Sequence, residues 1–216
     1  MDITPFADRR ARLLDRMQAG IAVLPTASEK VRNRDAYYPY RADSYFHYLT
    51  GFNEPEAVLV LVAGQGDAAP KSILFCRDRD PDKEIWDGYR HGPEGAKERF
   101  GFDEAHSIAA LDEKLPELIA NQPALWHSLG FDAEWDARLG RALNAVRAQS
   151  RAGKRAPATV RDLRAVLDEM RLVKDSHEIG LMRRAAIRSP TPARSRTSVS
   201  CSRRRRLRRC AATGPA

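Results

Sequence analysis

Cysteine is scarce in this chain, with three in 216 residues. Cys76 stands alone in the first 184 residues, and Cys201 and Cys210 fall near the end. No spacing among them builds a disulfide framework or a zinc site, so a reducing cytoplasm is the expected compartment. Long apolar runs are missing too. The longest, Ala57 to Ala63, is far too short to span a bilayer, and no membrane association is expected. Met1 to Arg16 is charged throughout and has no apolar h-region, so no signal peptide is expected. The five histidines are scattered, with no His-Glu-x-x-His pair and no Gly-x-Ser-x-Gly elbow beside them. No catalytic constellation and no metal site can be assembled from these residues.

Acidic charge vanishes after residue 184. From Ala185 to Ala216 there are nine arginines and no Asp, Glu or His. Of 37 Lys and Arg in the whole chain, 28 precede that point and face all 29 acids, a net of −1 against +8 overall. The basic character belongs to the last segment, and the body before it is near neutral. A body of this size can hide roughly 70% of its unfolded surface and so build a real core.

What is present alternates between strand and helix. Thr4-Pro5 predicts a helix start, Phe6, Leu13, Leu14 and Met17 give it an apolar face, and Gly20 is expected to close it. Ile21 to Leu24 reads as a short buried strand, followed by a polar, tyrosine-rich loop through Tyr40. Tyr45 to Leu49 and Ala57 to Val62 read as two strands joined by a turn over Thr50 to Pro55. The second has no polar residue, which predicts cover on both faces. Gly64 to Asp67 turns into a third strand, Ser72 to Cys76. Helices are expected from Gly92-Pro93 to Phe100, around Leu111 to Ile119, around Trp135 to Val146, and around Leu163 to Met170. A brief strand, Ala124 to His127, falls among them. Arg151 to Pro157 reads as a basic linker, and Asp175 with Glu178 predicts a capping box for a last helix. The pattern predicts an α/β fold, a mixed sheet flanked by helices.

Two motifs tempt and fail. Gly64-x-Gly66-x-x-Ala69 follows a strand, but Pro70 and another strand come next instead of a phosphate-binding helix. Asp78-x-Asp80-x-Asp82 copies the start of an EF-hand loop, yet Lys83 holds the glycine position and Tyr89 the bidentate glutamate position. A solvated acidic loop is the expectation. His47, within the expected strand, reads as a hydrogen-bonded structural histidine, and Cys76 as a buried, inert thiol.

The block from Tyr40 through Leu61 (YRADSYFHYLTGFNEPEAVLVL) closely resembles the N-terminal domain of the Xaa-Pro aminopeptidase (aminopeptidase P) family. The likeness continues through Phe75–Asp80, Glu84–Arg90, Glu169–Asp175 and Glu178–Ala185, covering about Thr4 to Ala186. The resemblance implies a non-catalytic N-terminal domain over 4–150, a linker over 151–186 that leads toward the catalytic domain, and a disordered Arg-rich tail over 187–216. In the family, a second domain holds two divalent metals, usually Mn2+, on Asp, Asp, His, Glu and Glu, and removes the residue before a penultimate proline. None of those five ligands can be placed here, so this chain is expected to be inactive and to bind no metal. The tail reads like a GC-rich message out of frame, and a frameshift near codon 187 is the expectation.

By the same resemblance the N-terminal domain restricts access to the active site and builds an oligomer, so homo-oligomers or full-length subunits are the expected partners. Trp86 resembles a family tryptophan that approaches a neighbouring subunit's site, and Arg41 and Tyr45 lie in the signature block. These three are the candidates for substrate access or subunit contact. Two plainer readings stand beside them: Trp86 as a core residue of a short helix, and Tyr45 packing on the sheet. Stand-alone interaction is an alternative function. Six arginines in Arg203 to Arg209 offer nucleic acid charge without an aromatic platform, so any such binding is expected to be nonspecific.

Overall fold

The computed structural model describes residues 2–64 and 68–188. In chain order the elements are α1 (Thr4–Met17), β1 (Ile21–Pro25), β2 (Val31–Asn33), β3 (Ala36–Tyr37), α2 (Ser44–Thr50), β4 (Val58–Val62), β5 (Lys71–Cys76), α3 (Pro81–Asp87) and α4 (Gly92–Phe100). Then come β6 (Glu104–Ser107), α5 (Leu111–Ile119), β7 (Ala124–Trp126), α6 (Ala133–Ala148), β8 (Thr159–Arg161), α7 (Leu163–Leu172) and α8 (Ser176–Arg188). Six strands form one sheet in the order β6-β5-β4-β1-β7-β8, and β2 and β3 make a separate hairpin. β4 pairs antiparallel with β1 and β5, whereas the outer pairs β5–β6, β1–β7 and β7–β8 are parallel.

The period-2 alternation of the central strands builds two cores. Ile21, Val23, Val58, Val60, Ile73 and Phe75 face α5 and α6, meeting Leu111, Leu115, Ile119, Leu139 and Val146. Ala22, Leu59, Leu61, Leu74 and Cys76 face the other way, toward Leu13 and Met17 of α1, Phe46 and Leu49 of α2, Phe100 of α4, and Leu167 and Met170 of α7. Helices on both faces explain why β4 has no polar residue. The expected mixed sheet flanked by helices is what the chain forms.

One element differs in kind from its expectation. Tyr45 to Leu49 is not a strand but the core of α2. Asp43 accepts hydrogen bonds from the Tyr45 and Phe46 amides at 2.8 and 3.1 Å, satisfying two orphan donors of a helix start. Gly51, at φ +66°, closes the helix in the left-handed conformation, its N–H on the His47 carbonyl. Aromatic residues favour strands in general, but here Phe46, Leu49 and Thr50 recur at helical spacing and are buried. His47 is therefore a helical, exposed residue. Its ring meets Phe6 edge-on, and its pKa is held below the usual histidine value by partial desolvation, then by Arg9 and Arg41. At the start of the chain, Thr4 does not cap α1. The cap position is Ile3, and the helix closes at Gln18, φ +61°, two residues before Gly20.

Two arginines of α1 are buried. Arg9 donates to the Tyr48 carbonyl at 3.0 Å. Arg10 donates to the carbonyls of Leu49, Phe100 and Gly101 at 3.1, 3.3 and 2.6 Å. It thus caps the C-terminal ends of α2 and α4 together, where the carbonyls lack helical partners and the dipole favours a cation. Burial pulls its pKa down to about 10, with Asp103 opposing, so it stays charged at neutral pH. Arg10→Met keeps the apolar stem and removes the donors. It is expected to cost about 3 kcal/mol or more in urea unfolding, since several buried carbonyls are orphaned at once. A loss below 1 kcal/mol would show that water replaces the guanidinium.

Residues up to Val173 form one compact unit, and Lys174 onward a second. The expected linker, 151–186, supplies the first unit with β8, the sixth strand, and with α7. In the second unit the capping box forms as expected: Glu178 N–H donates to Asp175 Oδ1 at 2.8 Å and Asp175 N–H to Glu178 Oε2 at 3.1 Å. Ile187 and Arg188 end α8. The rest of the Arg-rich tail, 189–216 with Cys201 and Cys210, and most of the Gly64–Asp67 turn lie outside the described residues. No helix among the described residues is long and apolar enough to cross a membrane.

Candidate functional site

The segment between β5 and α4 leaves the body as an arm that carries Trp86. Asp80 starts α3, accepting from the Lys83 amide at 3.3 Å, and Pro81 fits the first turn, where no amide donor is needed. Ile85, Trp86 and Tyr89 are 77%, 86% and 62% exposed. The reading of Trp86 as a core residue is thereby excluded. Three large apolar side chains standing in solvent within five residues are the kind of surface that marks a contact site. Arg79 restrains the arm from within, pairing with Glu84 at 3.4 Å and lying 5.5 Å from the Tyr89 ring centroid.

The arm closes at its base. Arg77 and Arg90, one at each end, are buried. Glu54, from the turn between α2 and β4, is buried beside Arg77. Its Oε1 accepts from the His91 amide at 3.0 Å and is bonded to His91 Nδ1, while its Oε2 lies 3.9 Å from an Arg77 guanidinium nitrogen. Phe52 and Phe100 pack against the His91 ring with centroids 5.9 and 5.2 Å away. Gly92 adopts φ +67°, and a Cβ there would stand 2.8 Å from Arg79 Cγ, so the two ends of the arm pinch together. Glu54 and Arg77 fall within the blocks that carry the family resemblance, but nothing in the sequence singles out either of them, or His91, as a site residue. The one signal was an acid in a short turn bounded by Phe52 and Pro55, Phe52-Asn53-Glu54-Pro55.

Tyr45 and Arg41 sit elsewhere. Tyr45 faces α7, where its hydroxyl donates to Asp168 Oδ1 at 2.6 Å, and that bond is the first cause of its raised pKa. Its ring lies between Arg164 and Arg171, at 5.2 and 4.7 Å. These contacts belong to a longer ladder of alternating rings and guanidinium groups. It runs Phe6, Arg9, Tyr48, Arg171, Tyr45, Arg164, Phe131, with centroid distances of 3.3 to 5.8 Å. Each rung within about 6 Å is favourable through the ring quadrupole. Tyr45 thus joins α2 to α7 rather than packing on the sheet, and Arg41 is exposed just ahead of the Asp43 cap.

A crevice of about 180 Å3 opens where β1 and β7 end, lined by Leu24, Asp43, His127, Phe131 and Arg164 among others. This is the usual ligand position of an open α/β sheet, but the volume falls below the roughly 300 Å3 typical of small-molecule sites. His127 there is a structural group, bonded through Nδ1 to the Val23 carbonyl at 2.8 Å. Among the described residues no group of three His, Cys, Asp or Glu converges as a metal site requires. Asp78, Asp80 and Asp82 do not form one: Asp78 is taken by Ser107 at 2.5 Å and Asp80 by Lys83. The described residues offer no set that fits the two metals the resemblance implies for the whole family.

A three-layered α/β domain, with a mixed sheet and an exposed aromatic arm on a charged base, is the class that fold and site define. Residues 6–126 match the model of the aminopeptidase P N-terminal domain, and the chain belongs to that family. It is 43% identical over 181 residues to the Xaa-Pro aminopeptidase of Escherichia coli strain K12, covering 83% of this chain and 41% of the relative. Against that of Haemophilus influenzae the identity is 39% over 181 residues, covering 83% and 39%. Among solved structures, the low-pH form of Escherichia coli aminopeptidase P superposes with a TM-score of 0.82 at 41% identity, covering 87% of this chain and 42% of that one. A zinc-substituted form of the same enzyme in complex with product gives the same values. The chain therefore spans about four-tenths of the length of the curated relatives it matches.

Proposed function

We propose that this chain is the non-catalytic N-terminal portion of an Xaa-Pro aminopeptidase, serving to build the oligomer and to restrict access to a catalytic centre. The observation that carries this is the Trp86 arm: a large apolar surface held out on a base that the body makes rigid. Its occupant is a second copy, with Trp86 set toward the neighbour's substrate path. Arg41, exposed in the Tyr40–Leu61 block, is assigned to the same access role, and Tyr45 to holding α2 on α7. The division into a domain over 4–150, a link over 151–186 and a basic tail over 187–216 belongs to this reading, as does a cytoplasmic setting.

The metals of the activity, two Mn2+ by the family resemblance, would be held by the catalytic half, and the chain alone is expected to release nothing from X-Pro peptides. Joining residues 1–186 to the catalytic half of a close relative is expected to give manganese-dependent release of the first residue of an X-Pro peptide. A well-folded, inactive fusion would sink the proposal. Turnover by the pure 216-residue chain would equally overturn it.

A further inference from the structure

We infer that Glu54 is a positioning residue that staples the base of the Trp86 arm, holding both of its ends with one carboxylate. The inference rests on the reading of Trp86 as a contact residue for its consequence, but not for its geometry. Between Arg77 and Arg90, no described side chain from residues 78 to 89 is buried. The arm has no apolar anchor of its own to offset the entropy of holding twelve residues in one place. Asp80, Lys83, Arg79, Glu84 and Tyr89 shape it internally, but those contacts are exposed and travel with it. What fixes it to the body is at its two ends: Asp78 accepts from the Ser107 hydroxyl at one of them, and Glu54 reaches both. One oxygen holds the outgoing segment through the amide and ring of His91; the other, without a hydrogen bond, lies 3.9 Å from the guanidinium of Arg77 on the incoming segment.

Glu54 itself does not belong to the arm. It comes from the turn after α2, and Asn53 beside it accepts the Ala42 amide at 3.1 Å, tying that turn to the segment ahead of α2. The staple is therefore an anchor in a different part of the chain. A buried carboxylate 3.9 Å from a buried guanidinium also has a specific geometry to keep, because each charge is costly to leave without its counterpart. Loss of the charge should free the arm's base before it disturbs the sheet.

The test is hydrogen exchange on the full 216-residue chain carrying Glu54→Gln, which is near-isosteric. Segment 78–91 is expected to exchange at least about tenfold faster than in the wild type, while β4 and β5 keep their protection. Unchanged exchange in 78–91 overturns the inference. So does loss of protection in β4 and β5 in step with the arm, which would make Glu54 an ordinary buried residue. Should Glu54→Gln fail to fold, Glu54→Asp, one methylene too short to reach both ends, gives the same comparison. In the active fusion, Glu54→Gln and Trp86→Ala are expected to lower kcat/KM to similar extents, with the double variant no worse than either. Additive losses there would show that Glu54 does not act through Trp86 and would overturn the positioning role. If Trp86→Ala has no effect in the fusion, the contact reading of Trp86 fails, and the exchange result alone decides the staple.

Discussion

Trp86→Ala, in a protein that joins residues 1–186 to a relative's catalytic half, is expected to lower X-Pro cleavage about tenfold or more while the melting temperature moves by no more than a degree or two. The two halves of that expectation have separate causes. Stability is spared because the indole is 86% exposed and fills no cavity, and exposed substitutions usually stay within about 0.5 kcal/mol. Activity falls because a tryptophan that becomes buried in an interface is the residue type most often worth about 2 kcal/mol or more there. Ile85 and Tyr89, exposed on the same arm, form the surround that would exclude water around it. Oligomeric state by light scattering belongs beside the kinetics, since loss of assembly and loss of activity should track each other. Full activity in a fully assembled variant would remove Trp86 from any role at a neighbour's site.

Cys76 is expected to resist iodoacetamide in the folded chain at pH 8, with alkylation about 10^3-fold slower than for the same residue in urea. It ends β5 with no exposed surface, and burial pushes its thiol up to about 12, helped by the charges of Glu54 and Asp78 and opposed by Arg77. Only the thiolate attacks, so its population falls by about that factor against an ordinary cysteine. The sign for stability follows. The folded chain holds the proton more tightly than the unfolded one, so the contribution is complete below about 9 and is lost as pH rises toward about 12. Mass spectrometry of the Cys76 peptide after timed alkylation checks the rate. Equal labelling with and without urea would mean the thiol is reached by local opening of β5.

The parts of the fold that were legible in the sequence are those whose own residues decide their structure. The unbroken apolar runs of β4 and β5, the apolar spacing of α5, α6 and α7, and the Asp175–Glu178 box each carry their partner information locally. The strands β6 and β8 do not. Glu104-Ala105-His106-Ser107 and Thr159-Val160-Arg161 are short and polar, and become strands because an edge of the sheet offers them unpaired backbone. In α2 the aromatic run outweighed two better signals, the Asp43 cap and the Gly51 terminator. At the site, the candidacy of Trp86 came from likeness to a family, and only its exposure separated a contact residue from a core one. Glu54 was invisible because its meaning depends on Arg77 and His91, which lie 23 or more residues away in sequence.

The ladder of rings and guanidinium groups has a mechanical consequence. Its rungs lie side by side across α1, α2 and α7, so a pull along α7 strains Arg164 and Arg171 against Phe131, Tyr45 and Tyr48 together, and through Tyr48 reaches Arg9. Contacts loaded in parallel share a force that would break them one by one if they were loaded in series. The Tyr48 hydroxyl on the Met170 carbonyl at 3.3 Å, and the Tyr45 hydroxyl on Asp168, add two more bonds across the same seam. α7, the last helix of the first unit, is thus held to α1 and α2 at several points at once.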